Sequence, residues 1–185
     1  MQQMILFRAG DGPLPDVLQG LDGRVRDFRI MAGNGRNIWS RAVICELDDS
    51  SSGLADALSN DDGGQGLALL AAEQASFSRD TGVDDTDVAQ FLVLSNPADA
   101  IEEVFSSMYK DRDMVQAMQI PGALSVTRYA LTPIAGSCGW AFLTLCRYQD
   151  ADEAVIDDLA DCFGLADLKH AAPPAAVVMQ IAENS

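Results

Sequence analysis

The stretch FLVLSNPADAIEEVFSSMYKDRDMVQAMQIPGALSVTRYAL, residues 91–131, decides the fold. The apolar, β-rich run 88–96 predicts a strand that ends at an Asn-Pro pair. Pro97 suits the first turn of a helix because its missing N–H needs no partner there. The apolar residues that follow recur at spacings of three and four, which is one face of a helix: Ile101, Val104, Phe105 and Met108. The stretch therefore predicts a strand followed by a long helix.

The remainder of the second half continues this alternation. Pro121-Gly122 ends the helix, and residues 123–131 alternate in the manner of a strand. Further along, the pattern predicts a loop over 134–139, a strand over 140–149, a helix over 152–164 and a strand over 175–183. The resulting order, β-α-β-β-α-β, is the ferredoxin-like pattern, an α+β fold in which both helices cover one face of an antiparallel sheet.

The first half repeats this order in compressed form. The predicted elements are strands over 4–9, 25–31 and 37–47, a short helix over 13–21, helical pieces over 53–59 and 65–74, and a weak last strand over 75–80. The Asn34-Gly35 pair is a hairpin signal, because both residues tolerate positive φ.

A shared spacing indicates an internal repeat. In the third predicted strand of each half, a tryptophan precedes a cysteine by six residues: Trp39 and Cys45, then Trp140 and Cys146. The acidic segment 80–87 reads as a linker. We therefore predict two units, 1–84 and 85–185, whose antiparallel sheets face each other in one intrachain barrel and bury each other's bare faces.

Charge and hydropathy exclude several classes of partner. The chain has 185 residues and a formal net charge of −16, which repels phosphate backbones and anionic membrane surfaces. No apolar run approaches the roughly 20 residues that a membrane-spanning helix needs. We therefore expect no nucleic-acid partner and no membrane. The four cysteines fit isolated buried thiols in a reducing compartment, so we expect a cytoplasmic location.

The metal-ligating residue types are sparse. The four cysteines show no CxxC spacing, and His170 is the only histidine in the sequence. Familiar zinc-ligand pairs are therefore missing, and we expect no metal and no cofactor. A cysteine–histidine nucleophile is disfavoured as well, because a thiolate needs a nearby base.

Residues 91–149 resemble the dimeric α/β-barrel superfamily. The match consists of Asn96-Pro97, Glu103, Phe105, Tyr109, Pro121-Gly122 and Arg128-Tyr129. Two positions depart from the usual pattern: Met108 stands where relatives often carry tryptophan, and Asp113 where they often carry histidine. The resemblance implies a barrel of two ferredoxin-like sheets, with a cavity between the sheet and the helices of one half.

The resemblance places the candidate site on the helix and the facing strands. Tyr109 and Asp113 are four residues apart, so they share one helix face if the helix continues through Lys110-Asp111-Arg112. The predicted catalytic pair is therefore Asp113 and Tyr109, with the carboxylate either as a general base or as the group that holds a substrate hydroxyl. The predicted substrate-binding residues are Arg128, for an anionic group, together with Met108, Phe105 and Tyr148.

Structural alternatives stand beside each of these roles. Residues 110–113 also read as a solvated charged turn, and Arg128 as a cation paired with a helix acid such as Glu103. Residues Trp140, Phe142, Thr144, Cys146 and Tyr148 alternate along one strand, and such a face is more often core than pocket.

Three functions fit this reading. The first is a cofactor-independent enzyme, either a lyase, isomerase, cyclase or oxygenase, that acts on a small aromatic or polyketide-like molecule. The second is a non-catalytic binding or accessory protein on the same fold. The third is haem binding or degradation, which would need His170 or a tyrosine as the axial ligand. In each case the partner is a small molecule, and the chain is a monomer or a homodimer.

Overall fold

The computed structural model describes twelve parts of the chain: residues 2–9, 16–19, 25–33, 39–47, 66–79, 82, 88–96, 107, 109–135, 139–149, 152–163 and 175–181. Eight strands lie within them: β1 (Gln2–Arg8), β2 (Val25–Gly33), β3 (Arg41–Leu47), β4 (Gly66–Ser78), β5 (Ala89–Ser95), β6 (Ala123–Ala135), β7 (Phe142–Tyr148) and β8 (Ala175–Ile181). The helical segments are α1 (Asp16–Gln19), a π-helical turn (Tyr109–Asp113), α2 (Met114–Ala117) and α3 (Glu153–Cys162).

The eight strands form one closed antiparallel barrel. Their order around the barrel is β1-β3-β2-β8-β5-β7-β6-β4. Residues 2–78 contribute the consecutive strands β4-β1-β3-β2, and residues 89–181 contribute β8-β5-β7-β6. The pairs β2–β8 and β4–β6 join the two sets edge to edge. The predicted antiparallel α+β fold is confirmed, and closure leaves no free sheet edge among these strands.

The interior of the barrel is mostly apolar. Alternate side chains of the strands point inward and make one buried cluster, which includes Ile5, Phe28, Ile44, Leu69, Leu92 and Leu145. We call this cluster the lumen core. Its members come from both halves of the sequence, so the barrel interior is a single core.

The outer faces of the strands are covered by helices. Phe91, Val93, Val126 and Cys146 pack against Met114 and Ala117 of α2 and Leu159 of α3. We call this cluster the helix-side core. On the other set of strands, Leu18 of α1 packs on Met4, Leu6 and Val43. Strands β1, β3, β5 and β7 and the first part of β4 are therefore buried on both faces.

Burial on both faces explains the main error in secondary structure. Residues 65–74 were expected to be helical, but residues 66–78 form β4. This strand also contains residues 75–78 of the weak strand expected over 75–80. Leu67, Leu69 and Ala71 face the lumen, while Ala68 packs on the opposite side. A strand buried on both faces reads as a continuous apolar run, which periodicity cannot distinguish from a buried helix.

Several element boundaries also differ from the prediction. β6 continues through Ala135, so residues 134–135 belong to a strand rather than a loop. Trp39 and Trp140 precede β3 and β7 instead of lying within them. The described part of the 13–21 helix is the single turn α1. The predicted hairpin at Asn34-Gly35 and the helix over 53–59 lie outside the described residues.

A capping residue and a glycine mark the ends of helices in the second half. Asp152 is the N-cap of α3, and its carboxylate accepts a hydrogen bond from the backbone N–H of Val155 at 2.9 Å. Gly122 has φ of 81°, in the left-handed region, at the turn that leads from α2 into β6. Among the described residues, no helix is long and apolar enough to cross a membrane.

Candidate active site

The π-helical turn directs two polar side chains into the protein. Tyr109 and Asp113 are each 1% exposed, while Lys110, Asp111 and Arg112 between them are exposed. The expected solvated turn is therefore correct for these three residues but not for Asp113. The turn was predicted as ordinary α-helix, and π-helical turns of this kind occur often at functional sites.

Two neighbouring strands supply the facing side of the site. Arg128 of β6 lies opposite Thr144 of β7 in the strand register. Both side chains are buried, and they share the outer face of the sheet with Val126 and Cys146. The π-helical turn, β6 and β7 therefore bring four side chains into one buried layer. We call this set the polar cluster: Tyr109, Asp113, Arg128 and Thr144.

Arg128 lies between two aromatic rings. Its guanidinium carbon is 4.0 Å from the ring centroid of Phe142 and 4.8 Å from that of Tyr109. These distances are in the range of cation–π contacts, which stabilise a cation that burial removes from water. The predicted alternative partner, Glu103, lies outside the described residues.

The Tyr109 hydroxyl is fixed by Thr144. The Thr144 hydroxyl donates a hydrogen bond of 2.9 Å to the phenol oxygen, and the phenol ring stacks on Phe163 with centroids 5.3 Å apart. Burial raises the pKa of Tyr109 well above its ordinary value, and the hydrogen bond from Thr144 and the charge of Arg128 offset only part of that rise. Tyr109 is therefore a neutral phenol at physiological pH.

Asp113 is held at the edge of the polar cluster. Its carboxylate accepts a hydrogen bond of 2.8 Å from Nε of Arg112, whose side chain is half exposed. The negative charge of Asp113 adds slightly to the rise in the pKa of Tyr109 that burial causes. For Cys162 of α3, burial raises the pKa first and the charge of Asp113 raises it further. Asp113 thus faces the polar cluster while a surface arginine compensates its charge.

The remaining predicted site residues differ in their surroundings. Tyr148 is buried in the helix-side core, where its hydroxyl donates a hydrogen bond of 2.6 Å to the carbonyl of Ala117. That contact fastens α2 to β7, and a substrate-binding role for Tyr148 stays a prediction. Met108 and Phe105 lie outside the described residues.

Sequence reasoning did not assign roles to three residues of this site. Thr144 and Phe142 were recognised only as members of a strand face, and Phe163 was not singled out. The available signal was Thr144, a polar residue within the apolar run FLTLC. Trp140, expected on the same face, instead packs against the lumen core. The reason is that it lies outside the regular alternation of β7.

The buried thiol of Cys146 is a poor candidate for a nucleophile. Burial raises the pKa of the Cys146 thiol well above its ordinary value, so the nucleophilic thiolate is disfavoured. Within the parts of the chain that the structure describes, no group of three His, Cys, Asp or Glu side chains could hold a metal ion.

Comparisons with known proteins identify the fold. No family model and no curated protein matches the sequence. Among solved structures, an anthrone oxidase-like protein superposes with a TM-score of 0.62 at 8% identity, over 98% of this chain and 91% of its own. A ferredoxin-fold protein from Listeria monocytogenes related to antibiotic biosynthesis monooxygenases gives 0.58 at 11% identity, over 100% of this chain and 96% of its own.

A third structure extends the same likeness. The dimeric chlorite dismutase of Nitrobacter winogradskyi superposes with a TM-score of 0.50 at 11% identity, over 96% of this chain and 99% of its own. The structural neighbours are thus ferredoxin-like monooxygenase-related and dimeric α/β-barrel proteins. The expected resemblance to that superfamily is confirmed at the level of the fold.

Proposed function

We propose that this protein is a monooxygenase-type enzyme that oxidises a small aromatic molecule at the polar cluster without a metal or an organic cofactor. One observation carries the proposal: Tyr109, Asp113 and Arg128 converge between helix and sheet, and none of them is more than 2% exposed. Burying charged groups costs free energy, and such groups often mark a functional site. The neighbours described as anthrone oxidase-like and monooxygenase-related support the reaction class.

The charges of the polar cluster suit the oxidation of a phenol or an anthrone. In the proposed reaction Asp113 accepts a proton from the substrate, and Arg128 stabilises the oxygen of the resulting enolate or phenolate. That anion transfers electrons to O₂. One oxygen atom becomes the new ring carbonyl and the other leaves as water, so that anthrone and O₂ give anthraquinone and water.

Tyr109 is the proposed hydrogen-bond donor to the substrate. In its bond with Thr144 the phenol oxygen is the acceptor, so this bond does not use the phenolic hydrogen. Because burial keeps the phenol neutral, its hydrogen is retained at neutral pH. Met108, Phe105 and Tyr148 are proposed to line the apolar side of the substrate site.

The haem alternative is less favourable. An axial tyrosine ligates iron as a phenolate, whereas burial raises the pKa of both Tyr109 and Tyr148. Both hydroxyls are also engaged with protein groups, Thr144 and the carbonyl of Ala117. The other ligand considered, His170, lies outside the described residues.

We also infer a tandem architecture with units 1–84 and 85–185. It is supported by the equivalent strand orders β4-β1-β3-β2 and β8-β5-β7-β6. The two tryptophans of the proposed repeat approach each other, with ring centroids 6.1 Å apart. In this proposal one chain supplies the whole barrel as a monomer or homodimer, and acts in the cytoplasm on a small molecule.

The test compares two carboxylates of the same turn. Anthrone is the probe, and the measurements are O₂ consumption and the absorbance of anthraquinone. Asp113→Asn should lower the rate by roughly 10²–10⁴-fold, because it removes the base and keeps its shape. Asp111→Asn is the matched control, since that carboxylate is exposed and accepts a hydrogen bond from Ser107. The control should retain wild-type activity.

Other outcomes separate the alternatives. Equal rates in the two variants would remove Asp113 from the mechanism. If anthrone raises the melting temperature but is not consumed, the accessory role is correct. If anthrone neither binds nor reacts with the wild-type protein, the proposed substrate class is wrong.

A further inference from the structure

The barrel interior has two chemically different ends. At one end, Phe7 stacks on Trp39 with ring centroids 4.6 Å apart, and Trp39 meets the edge of Trp140 at 6.1 Å. At the other end, the inward positions next to the lumen core are polar. Because side chains alternate along a strand, these residues face the same side as the core residue two positions away. We call this set the polar mouth: Gln3, Arg26, Glu46, Glu73, Gln90 and Arg147.

Strand register and charge bring members of the polar mouth together. Gln3 lies opposite Glu46, and Gln90 lies opposite Arg147. Arg26 forms an ion pair of 3.8 Å with Glu46. Burial and then the positive charge of Arg26 lower the pKa of Arg147. Because β2 and β7 are not adjacent in the barrel, this repulsion acts across its interior.

Three buried amide atoms of two glutamines in this set lack hydrogen-bond partners among the described residues. Gln90 is 0% exposed, and within the described ranges neither its Nε2 nor its Oε1 has a partner. Gln3 is 4% exposed, and its Oε1 likewise has no hydrogen-bond partner within those ranges. Leaving a buried amide unpaired costs more than replacing it with an apolar side chain of similar size. These amides therefore point to a polar molecule that completes their hydrogen bonds.

We propose that the polar mouth binds a small carboxylic acid that also carries a hydroxyl or amino group. The carboxylate is held by the guanidinium groups of Arg26 and Arg147, which match its geometry. The amide nitrogen of Gln90 donates a further hydrogen bond to it. The hydroxyl or amino group donates to the amide oxygens of Gln90 and Gln3, which need a donor.

The charges of the polar mouth restrict the class of ligand. Two arginines face two glutamates, so a molecule with a second carboxylate would be repelled by Glu46 or Glu73. The side chains of Arg26 and Glu46 are 23% and 48% exposed, which provides access from solvent. This site is separate from the polar cluster, because Thr144 faces the helices whereas Arg147 of the same strand faces the lumen.

The binding test uses L-lactate and glycine as probes and propionate as the matched acid without the second polar group. Binding to the full chain is measured by calorimetry at pH 7. We expect lactate or glycine to bind at least about tenfold more tightly than propionate. Gln90→Leu and Arg147→Gln should each weaken that binding about tenfold or more. Asp111→Asn, at an exposed position of the π-helical turn outside the barrel interior, should leave it unchanged.

A stability measurement keeps the test independent of misfolding. Without ligand, Gln90→Leu should melt at or above the wild-type temperature, because the variant removes an unpaired buried amide. If neither probe binds at concentrations on the order of 10 mM, or if Gln90→Leu binds as the wild type does, the proposal is overturned. The amides are then satisfied by ordered water alone.

Discussion

The hydrogen bond between Thr144 and Tyr109 allows a quantitative test of the polar cluster. Both residues are at most 1% exposed, and the bond joins a strand to the π-helical turn. Thr144→Val removes the donor and leaves the phenol oxygen without it. Tyr109→Phe removes the acceptor but keeps the ring that stacks on Phe163. Each single change should lower the free energy of unfolding by about 1–3 kcal/mol, the cost of leaving a buried polar group unsatisfied.

The double variant distinguishes this hydrogen bond from general loss of packing. Replacing both partners by apolar groups of similar shape can be nearly neutral, so the double variant should be more stable than the sum of the single effects implies. We expect a coupling energy of about 1–2 kcal/mol between the two sites. The measurement is denaturant unfolding at pH 7, where the phenol is neutral in both the folded and the unfolded state.

A matched cycle supplies the control. Tyr148→Phe removes a hydroxyl that donates to the carbonyl of Ala117 and shares no partner with Thr144. Combined with Thr144→Val, its effect should be additive within about 0.3–0.5 kcal/mol. If the Tyr109 cycle is additive to the same extent, the bond does not contribute to stability, and our account of how the polar cluster is assembled is refuted.

Three further predictions concern local features of the second half and the buried thiol of the first. Gly122→Ala should lower the free energy of unfolding by about 1 kcal/mol in denaturant unfolding, because an alanine at a φ of 81° is strained. Gly122→Asn should lower it by less, since asparagine adopts positive φ more readily. Equal losses in the two variants would argue against backbone strain. Asp152→Ala should lower the free energy of unfolding by about 1 kcal/mol, because it removes the side chain that caps the N–H of Val155. The control, Asp157→Ala at an exposed position of α3, should lower it by less than half as much. Burial raises the pKa of Cys45 to about 11, so the folded state keeps its proton when the unfolded state loses it above pH 9. The stability contributed by Cys45 is therefore full below pH 9 and decreases as the pH rises toward 11, and Cys45→Val should show a smaller decrease in melting temperature across this window. Identical pH profiles for the two proteins would contradict that assignment.

Local sequence chemistry was sufficient for most elements of the second half. Asn-Pro, Pro-Gly and the Asp152 cap mark chain reversals whose energetics depend on neighbours close in sequence. The strands β5 to β8 were therefore predicted within a few residues. The same reasoning failed for β4, because its two covered faces remove the alternation that identifies a strand.

The sequence also indicated part of the candidate site. The spacing of Tyr109 and Asp113 placed them on one helix face, and both are buried in the structure. It gave no indication that residues Tyr109–Asp113 form a π-helical turn instead of ordinary α-helix. It also could not pair Tyr109 with Thr144, which lies 35 residues away.

What the sequence alone determined was the identity and order of the second half's elements, since these follow from turn residues, caps and hydrophobic periodicity along a short stretch of chain. Only the tertiary structure decided which side chains meet. The pairing of β5 with β7 places Gln90 beside Arg147. Closure of the barrel brings the ring centroids of Trp39 and Trp140 to 6.1 Å from each other. Such contacts depend on strand order and register, which follow from the burial of apolar side chains contributed by distant parts of the chain rather than from any local pattern.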